Sequence, residues 1–345
     1  MPTAKFLFPA KFTWGTATSS HQVEGNNQNN NWTRWEQQPG NILENASATP
    51  GPDWWNGGRW REDLTRAADA GQTAHRFSIE WSRIQPTPDS WDESAIEFYR
   101  EMMRGMIQRG LKPMVTLHHF TDPLWFTDAG GWLNPKAPDF FRRYAEKVVP
   151  ALKELTNEWI TINEPNVYTY NGYITGAFPP GKKFALRSAV TCLRHMIQAH
   201  AAAYEIIHQN QPDAAVSIAS NYMDFLSKTS AASDRWTTTF FDRVFNRSFL
   251  DVLMHGHFGF GPMRLNVKEA RGTFDFVGLN YYTGQQVQFS TDLSKAMSFP
   301  AGASLSDTGF LANEPDSFAN ALRYASSYGK PVIVTENGVE NDEDT

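Results

Sequence analysis

The chain has 345 residues, with 31 Lys and Arg against 37 Asp and Glu, a formal net charge of −6. A composition of 41% hydrophobic and 20% charged residues is that of a folded chain and excludes a mostly disordered one. Net acidity excludes a non-specific polyanion binder, the single Cys192 excludes an internal disulfide or a cysteine-rich zinc site, and no apolar run nears the ~18 residues of a membrane span.

The first twelve residues, MPTAKFLFPAKF, are broken by prolines and lysines and lack a signal-peptide hydrophobic core. The expectation is a protein of a reducing compartment, the cytoplasm. Three N-x-S/T sequons, at Asn31, Asn45 and Asn246, carry little weight without a secretion signal.

Short β-like runs then alternate with longer amphipathic segments. The expected strands are Phe12–Thr16, Ala74–Ile79, Met114–Leu117, Trp159–Ile162, Val216–Ala219, Phe274–Leu279 and Val332–Thr335. Each is short, apolar or β-branched, and bounded by Gly, Pro, Asn or Asp, as buried parallel strands should be. The expected helices are Trp60–Ala70, Asp92–Arg109, Pro138–Leu155, Leu186–Asn210, Trp236–Met254 and Asp316–Tyr328, several of them ending at a glycine. Asn26–Asn31 and Phe289–Pro315 read as loops. Many of the 12 Trp fall among polar neighbours, as in Asp53-Trp54-Trp55-Asn56-Gly57, a composition that suits a sugar-stacking cleft and an aromatic core equally.

Repeated β–α alternation means parallel strands returned by helical crossovers. Polar side chains fall at or just past the ends of many strands: Arg76, His118-His119, Asn163-Glu164, Asn280-Tyr281-Tyr282 and Glu336-Asn337. A site assembled from many strand ends is the mark of a (β/α) barrel, whereas a doubly wound sheet concentrates its site at one switch point. The fold class expected is therefore α/β, a (β/α) TIM-type barrel with seven strands readable, forming one domain over residues 1–345.

Glu164 and Glu336 end the fourth and seventh runs, where an unpartnered carboxylate costs several kcal/mol. A single such Glu is ordinarily an ion-pair or helix-dipole partner. Two across a barrel mouth suit glycoside hydrolysis, in which one protonates the leaving oxygen and the other attacks the anomeric carbon or activates water. Arg76 and a Tyr hydroxyl would hold Glu336 ionised, while apolar surroundings and the nearby charge would raise Glu164.

Six segments carry a resemblance: Phe12–Gly25 (FTWGTATSSHQVEG), His75–Ile84 (HRFSIEWSRI), Thr116–Phe120 (TLHHF), Thr161–Asn166 (TINEPN), Phe276–Tyr282 (FVGLNYY) and Val334–Gly338 (VTENG). The chain resembles glycoside hydrolase family one, the β-glucosidase and β-galactosidase family. The resemblance implies a retaining enzyme that removes terminal β-linked glucose or galactose from small β-glycosides by double displacement, without cofactor or metal. Glu164 is then the acid/base and Glu336 the nucleophile, expected ~5–5.5 Å apart. Gln22, His119 and Asn163 would bind sugar hydroxyls, Asn280 and Tyr282 would line the subsite, and Arg76 and Tyr282 would support the nucleophile. Phe120 stands where many members have Trp.

After Thr335 ten residues remain, whereas the family continues through an eighth strand and a closing helix. The expectation is a C-terminally incomplete barrel with reduced activity, its open sheet edge covered by a homo-oligomer contact or a complementing chain. The alternative is a catalytically silent sugar-binding or interaction protein. Small β-glucosides or β-galactosides are the expected partners, with no nucleic acid and no membrane. Among weaker signals, His255 and His257 read as hydrogen-bonded histidines, Glu24 and Glu80 as ion-pair members, and Cys192 and Met102, Met103 and Met106 as core filler.

Overall fold

A computed structural model describes residues 7–292 and 295–340. Seven parallel strands form its main sheet: β1 (Gly15–Thr18), β2 (Ala74–Ser78), β3 (Lys112–His118), β4 (Glu158–Asn163), β5 (Ala215–Ser227), β8 (Val277–Val287) and β10 (Val332–Asn337), paired in that order. A hairpin of β6 (His257–Phe260) and β7 (Met263–Asn266) lies apart, and the two-residue β9 (Met297–Ser298) pairs antiparallel with β8. Successive strands are parallel because helices return the chain between them, giving the parallel sheet of a (β/α) barrel. Among the described residues β1 and β10 each have one paired neighbour in the sheet, so both are edges.

Two layers of core hold the sheet. Inside, Met114, Ile160, Ala219 and Phe276 meet at the axis, with Ile333 against them. Outside, strand residues such as Val115, Trp159, Val216 and Leu279 pack against the helices. The helix Glu93–Gln108 illustrates how: the Asp92 carboxylate caps it, accepting from Ser94 N at 2.8 Å and Ala95 N at 3.2 Å. Ile96, Tyr99, Met102, Met103 and Met106 are buried, each side chain contributing about 1.5–3 kcal/mol. Gly110, with φ +75°, supplies the left-handed turn just past its end.

Several expectations are corrected. The first strand is Gly15–Thr18, not Phe12–Thr16. Phe12 and Trp14 are exposed and cluster with Phe8, ring centroids 4.6–4.8 Å apart, because they precede Gly15, the first residue paired with β2. The sixth parallel strand starts at Val277 and runs to Val287, and the fifth continues to Ser227. Trp236–Met254 is not one helix: Ala232–Phe241 and Ser248–His255 flank a π-turn, Asp242–Arg247. There Asn246 turns inward, its Oδ1 accepting from Met223 N at 3.1 Å and its Nδ2 donating to Met223 O at 3.0 Å. The hairpin β6–β7, turned at Gly261-Pro262, went unread. Asn31 and Asn246 are buried, which rules those two sequons out as exposed acceptors. Residues 341–344 of the C-terminal acidic run lie outside the described residues.

The tryptophans favour the core. Trp54, Trp60, Trp81, Trp132 and Trp159 are buried. Four of these indoles find acceptors: Trp54 on Asp63 at 2.6 Å, Trp81 on Gln85 at 2.9 Å, Trp132 on Asp122 at 3.1 Å and Trp159 on Gln211 at 2.9 Å. Their acceptors lie four to 52 residues away in the chain and are brought to the indoles by the fold.

Candidate active site

Both glutamates follow an irregularity in their strand. Opposite β5, β4 passes from the pair Ile160–Ser217 to Asn163–Ala219, one residue longer on the β4 side. Opposite β8, β10 passes from Val334–Leu279 to Glu336–Asn280, leaving Thr335 as the extra residue. Bulges of this kind re-aim the side chains that follow them. Glu164 then adopts a left-handed conformation, φ +44° and ψ +56°, with its N–H held by Ala219 O at 2.7 Å and Pro165 opening the next helix. Such a conformation in a non-glycine residue costs about 1–2 kcal/mol and persists only where the surroundings enforce it.

One hydrogen-bonded network joins the two carboxylates. Arg76 Nη1 donates to Glu336 Oε1 at 2.6 Å and Tyr282 OH donates to Glu336 Oε2 at 2.7 Å. The other face of the Arg76 guanidinium donates from Nη2 to Asn163 Oδ1 at 2.6 Å, and its Nε donates to Thr116 Oγ1 at 3.0 Å. Asn280 Nδ2 donates to Glu164 Oε1 at 2.9 Å and to Asn163 Oδ1 at 3.2 Å, while its Oδ1 accepts from Thr335 Oγ1 at 2.6 Å. Asn221 Nδ2 also donates to Glu164 Oε1 at 2.9 Å. With Asn163 Oδ1 accepting twice, its Nδ2 must be the donor to His119 Nε2 at 3.2 Å. That assigns the hydrogen of neutral His119 to Nδ1, a buried atom without a partner among the described residues.

The two carboxyls are driven apart electrostatically. Burial and then the charge of Glu336 push Glu164 up to about 7, against the opposing bonds from Asn221 and Asn280. Burial acts on Glu336 in the same sense, but the Arg76 guanidinium together with the bonds from Tyr282 and Arg76 holds it below the usual carboxylate range. Desolvation takes His119 down to about 3, despite the attraction of Glu336, so it is neutral. One carboxyl is poised near neutrality and the other is a fixed anion.

The structure brings Arg76, His119, Asn163, Asn280, Tyr282, Glu164 and Glu336 into this network. Gln22 sits apart from it, exposed on the short helix Ser20–Val23 just past β1, its Oε1 bonded to Ser19 Oγ at 2.7 Å. Phe120 is half-buried with φ +66°, its ring against His119, Tyr168 and Phe178. His118 points away into the core, bonded to Asp122 at 2.9 Å. Sequence reading missed Asn221 because it ended the fifth strand at Ala219. With the strand extended, Asn221 is one more polar residue at the catalytic end. No group of three or more His, Cys, Asp and Glu among the described residues is arranged to hold a metal ion.

The description "Glycosyl hydrolase family 1" belongs to the family model that this chain matches over residues 4–345. The chain belongs to glycosyl hydrolase family 1. As a member of that family it is a β-glycoside hydrolase. It is 26% identical to Beta-glucosidase A of Acetivibrio thermocellus, covering 97% of this chain and 80% of that relative. It is 29% identical to Beta-glucosidase A of Thermotoga maritima, covering 85% and 69%. Among solved structures, a beta-glycosidase from Pyrococcus horikoshii superposes with a TM-score of 0.86 at 35% identity, over 98% of this chain and 78% of that one. The Thermotoga maritima beta-glucosidase in complex with glucoimidazole superposes with a TM-score of 0.89 at 28% identity, over 97% and 80%. No helix of the described residues of this family 1 chain is long and apolar enough to cross a membrane.

Proposed function

We propose that this chain removes a terminal β-linked glucose or galactose from small β-glycosides with retention of configuration. The observation that carries the reading is the contrast between the two glutamates. Glu336 has each carboxylate oxygen held by a separate donor, Arg76 and Tyr282. Such clamping lowers basicity, so it suits a nucleophile and disfavours a base that must take a proton from water. Glu164 receives both of its amide bonds on Oε1, which leaves Oε2 as the oxygen to carry the acid's proton.

In the first step a Glu336 oxygen bonds to the anomeric carbon, the bond to the leaving oxygen breaks, and that oxygen takes the proton from Glu164. In the second, Glu164 takes a proton from water, the water oxygen bonds to the anomeric carbon, and Glu336 departs as carboxylate. Asn163, His119, Gln22, Asn280 and Tyr282 hold the sugar hydroxyls, Asn163 next to the acid being suited to the 2-hydroxyl. Inhibitor complexes of the Thermotoga maritima relative, with glucoimidazole and deoxynojirimycin, support a glucose-shaped subsite.

Residues 1–345 act in this reading as one catalytic unit, and the single buried thiol of Cys192 fits a cytoplasmic setting. A second copy or a complementing chain on the edges of β1 and β10 belongs to the same proposal. The deciding experiment is incubation with a 2-fluoro-β-glucoside carrying a good leaving group, followed by peptide mass analysis. A glycosyl adduct on the Glu336 peptide is expected; an unlabelled chain that still hydrolyses aryl β-glucosides overturns the double displacement.

A further inference from the structure

We infer that Glu80 is a positioning residue that sets the loops bearing Gln22 and His119 against one another, and through them the grip on the sugar. The inference rests on the proposed sugar-binding roles of Gln22 and His119. Glu80 lies just past β2, completely buried, at the start of the short helix Trp81–Ile84. Its Oε2 accepts two bonds, from Ser20 Oγ at 2.8 Å and from Thr121 Oγ1 at 2.8 Å. Ser20 stands two residues before Gln22 in the loop after β1, and Thr121 stands two residues after His119 in the loop after β3. A single oxygen therefore spans the two loops, each anchor one short step from a residue proposed to touch substrate.

The rest of the environment fixes that oxygen in place. Oε1 accepts from Ser82 Oγ at 2.6 Å and from Ser82 N at 3.3 Å, and Glu80 N donates to Tyr99 OH at 2.8 Å. Tyr99 in turn donates to Glu24 at 2.6 Å, and Arg83 holds Glu24 at 2.8 Å. Glu24 has its expected ion-pair partner; Glu80 does not, since no Lys or Arg among the described residues pairs with it. The expectation that Glu80 is an ion-pair member is thus corrected: hydroxyls and one backbone N–H satisfy it. A buried carboxylate without a counter-cation is a costly way to stabilise a fold, because its desolvation is not offset by an opposite charge. What it provides is geometry: each oxygen accepts two directed bonds, which no amide side chain can offer at both ends.

The test is Glu80→Gln, which keeps the shape and turns one oxygen into a donor. KM for an aryl β-glucoside is expected to rise about tenfold with kcat within about threefold, and the loss should not multiply when combined with Gln22→Ala or His119→Ala. Should Glu80→Gln not fold, Ser20→Ala and Thr121→Val remove the two arms singly, and each is expected to raise KM about threefold. An unchanged KM, or a fall in kcat at constant KM, overturns the inference. If Gln22→Ala and His119→Ala themselves leave KM untouched, the sugar-binding reading fails instead. If they raise KM while the Glu80, Ser20 and Thr121 variants do not, only the positioning role fails.

Discussion

Arg76 on β2 and Glu336 on β10 stand 260 residues apart in the chain and 2.6 Å apart in space. The contact crosses from the strand beside one sheet edge to the strand that forms the other. It brings the guanidinium to the mouth, where the same group also holds Asn163. Position and charge of the proposed nucleophile therefore depend on a cation delivered by the opposite side of the sheet.

Removing the nucleophile should remove the reaction. Glu336→Gln is expected to lower kcat/KM for an aryl β-glucoside by at least about 10³-fold, about 4 kcal/mol of transition-state stabilisation. Glu164→Gln should behave differently. With a good leaving group the first step needs little acid, so the glycosyl-enzyme accumulates, and added azide, which needs no base, should restore turnover. Burst kinetics with and without azide check this.

The pH profile follows from the two carboxyls. Glu164 must be protonated to act as acid, and its pKa of about 7 means that kcat/KM falls as pH rises through neutrality. Glu336 must be ionised to attack, and because Arg76 and Tyr282 hold it below the usual carboxylate range, the acid limb should lie on the acid side of an ordinary glutamate's. Kinetics between pH 3 and 9 should give a bell with a broad plateau; a basic limb well above 8 would contradict the burial argument for Glu164.

Tyr282→Phe deletes one donor to Glu336 and, in the proposed reading, a hydroxyl that lines the sugar subsite. A hydrogen bond to a charged group contributes about 1.5–3 kcal/mol, so a loss of roughly 10- to 150-fold in kcat/KM is expected. The same change should move the acid limb upward, because the anion loses part of its stabilisation. A purely structural role would leave that limb in place.

Two substitutions probe the fold. Trp81 stacks on Tyr144 at 5.1 Å and meets Phe126, Phe141 and Trp125, so Trp81→Ala should cost about 3–5 kcal/mol in denaturant unfolding. Gly278 faces β5 so closely that a Cβ there would come 2.3 Å from Ile218 O. Gly278→Ala must push the strands apart two residues before Asn280, and is expected to lower both stability and activity.

Much of the site was legible because barrel strands end in functional side chains, and hydrophobic patterning is a local property. Thr161–Asn166 announces a buried strand with a carboxylate just past it; Val334–Gly338 announces a strand and its carboxylate, but that strand, expected to be buried, is largely half-exposed at the sheet edge and Glu336 lies within it. The same locality explains the misses. Asn221 escaped because the polar pair Ser220-Asn221 interrupts the apolar run and reads as its end, whereas β5 goes on pairing with β8 through Ser227. The first strand was placed too early because Phe12 and Trp14 look like core, yet both precede Gly15, where pairing with β2 begins, and both are exposed.

The amino-acid order alone determined the parallel α/β architecture and the two glutamates, since alternation and strand-end chemistry are written residue by residue. Tertiary structure decided what those glutamates are. Glu164 and Glu336 are the same residue type, and they differ because burial and the neighbouring charge raise the one while Arg76 and Tyr282 hold the other down. Coulomb interactions and desolvation act over a few ångströms in a medium of low polarity, and only the fold sets which groups come that close.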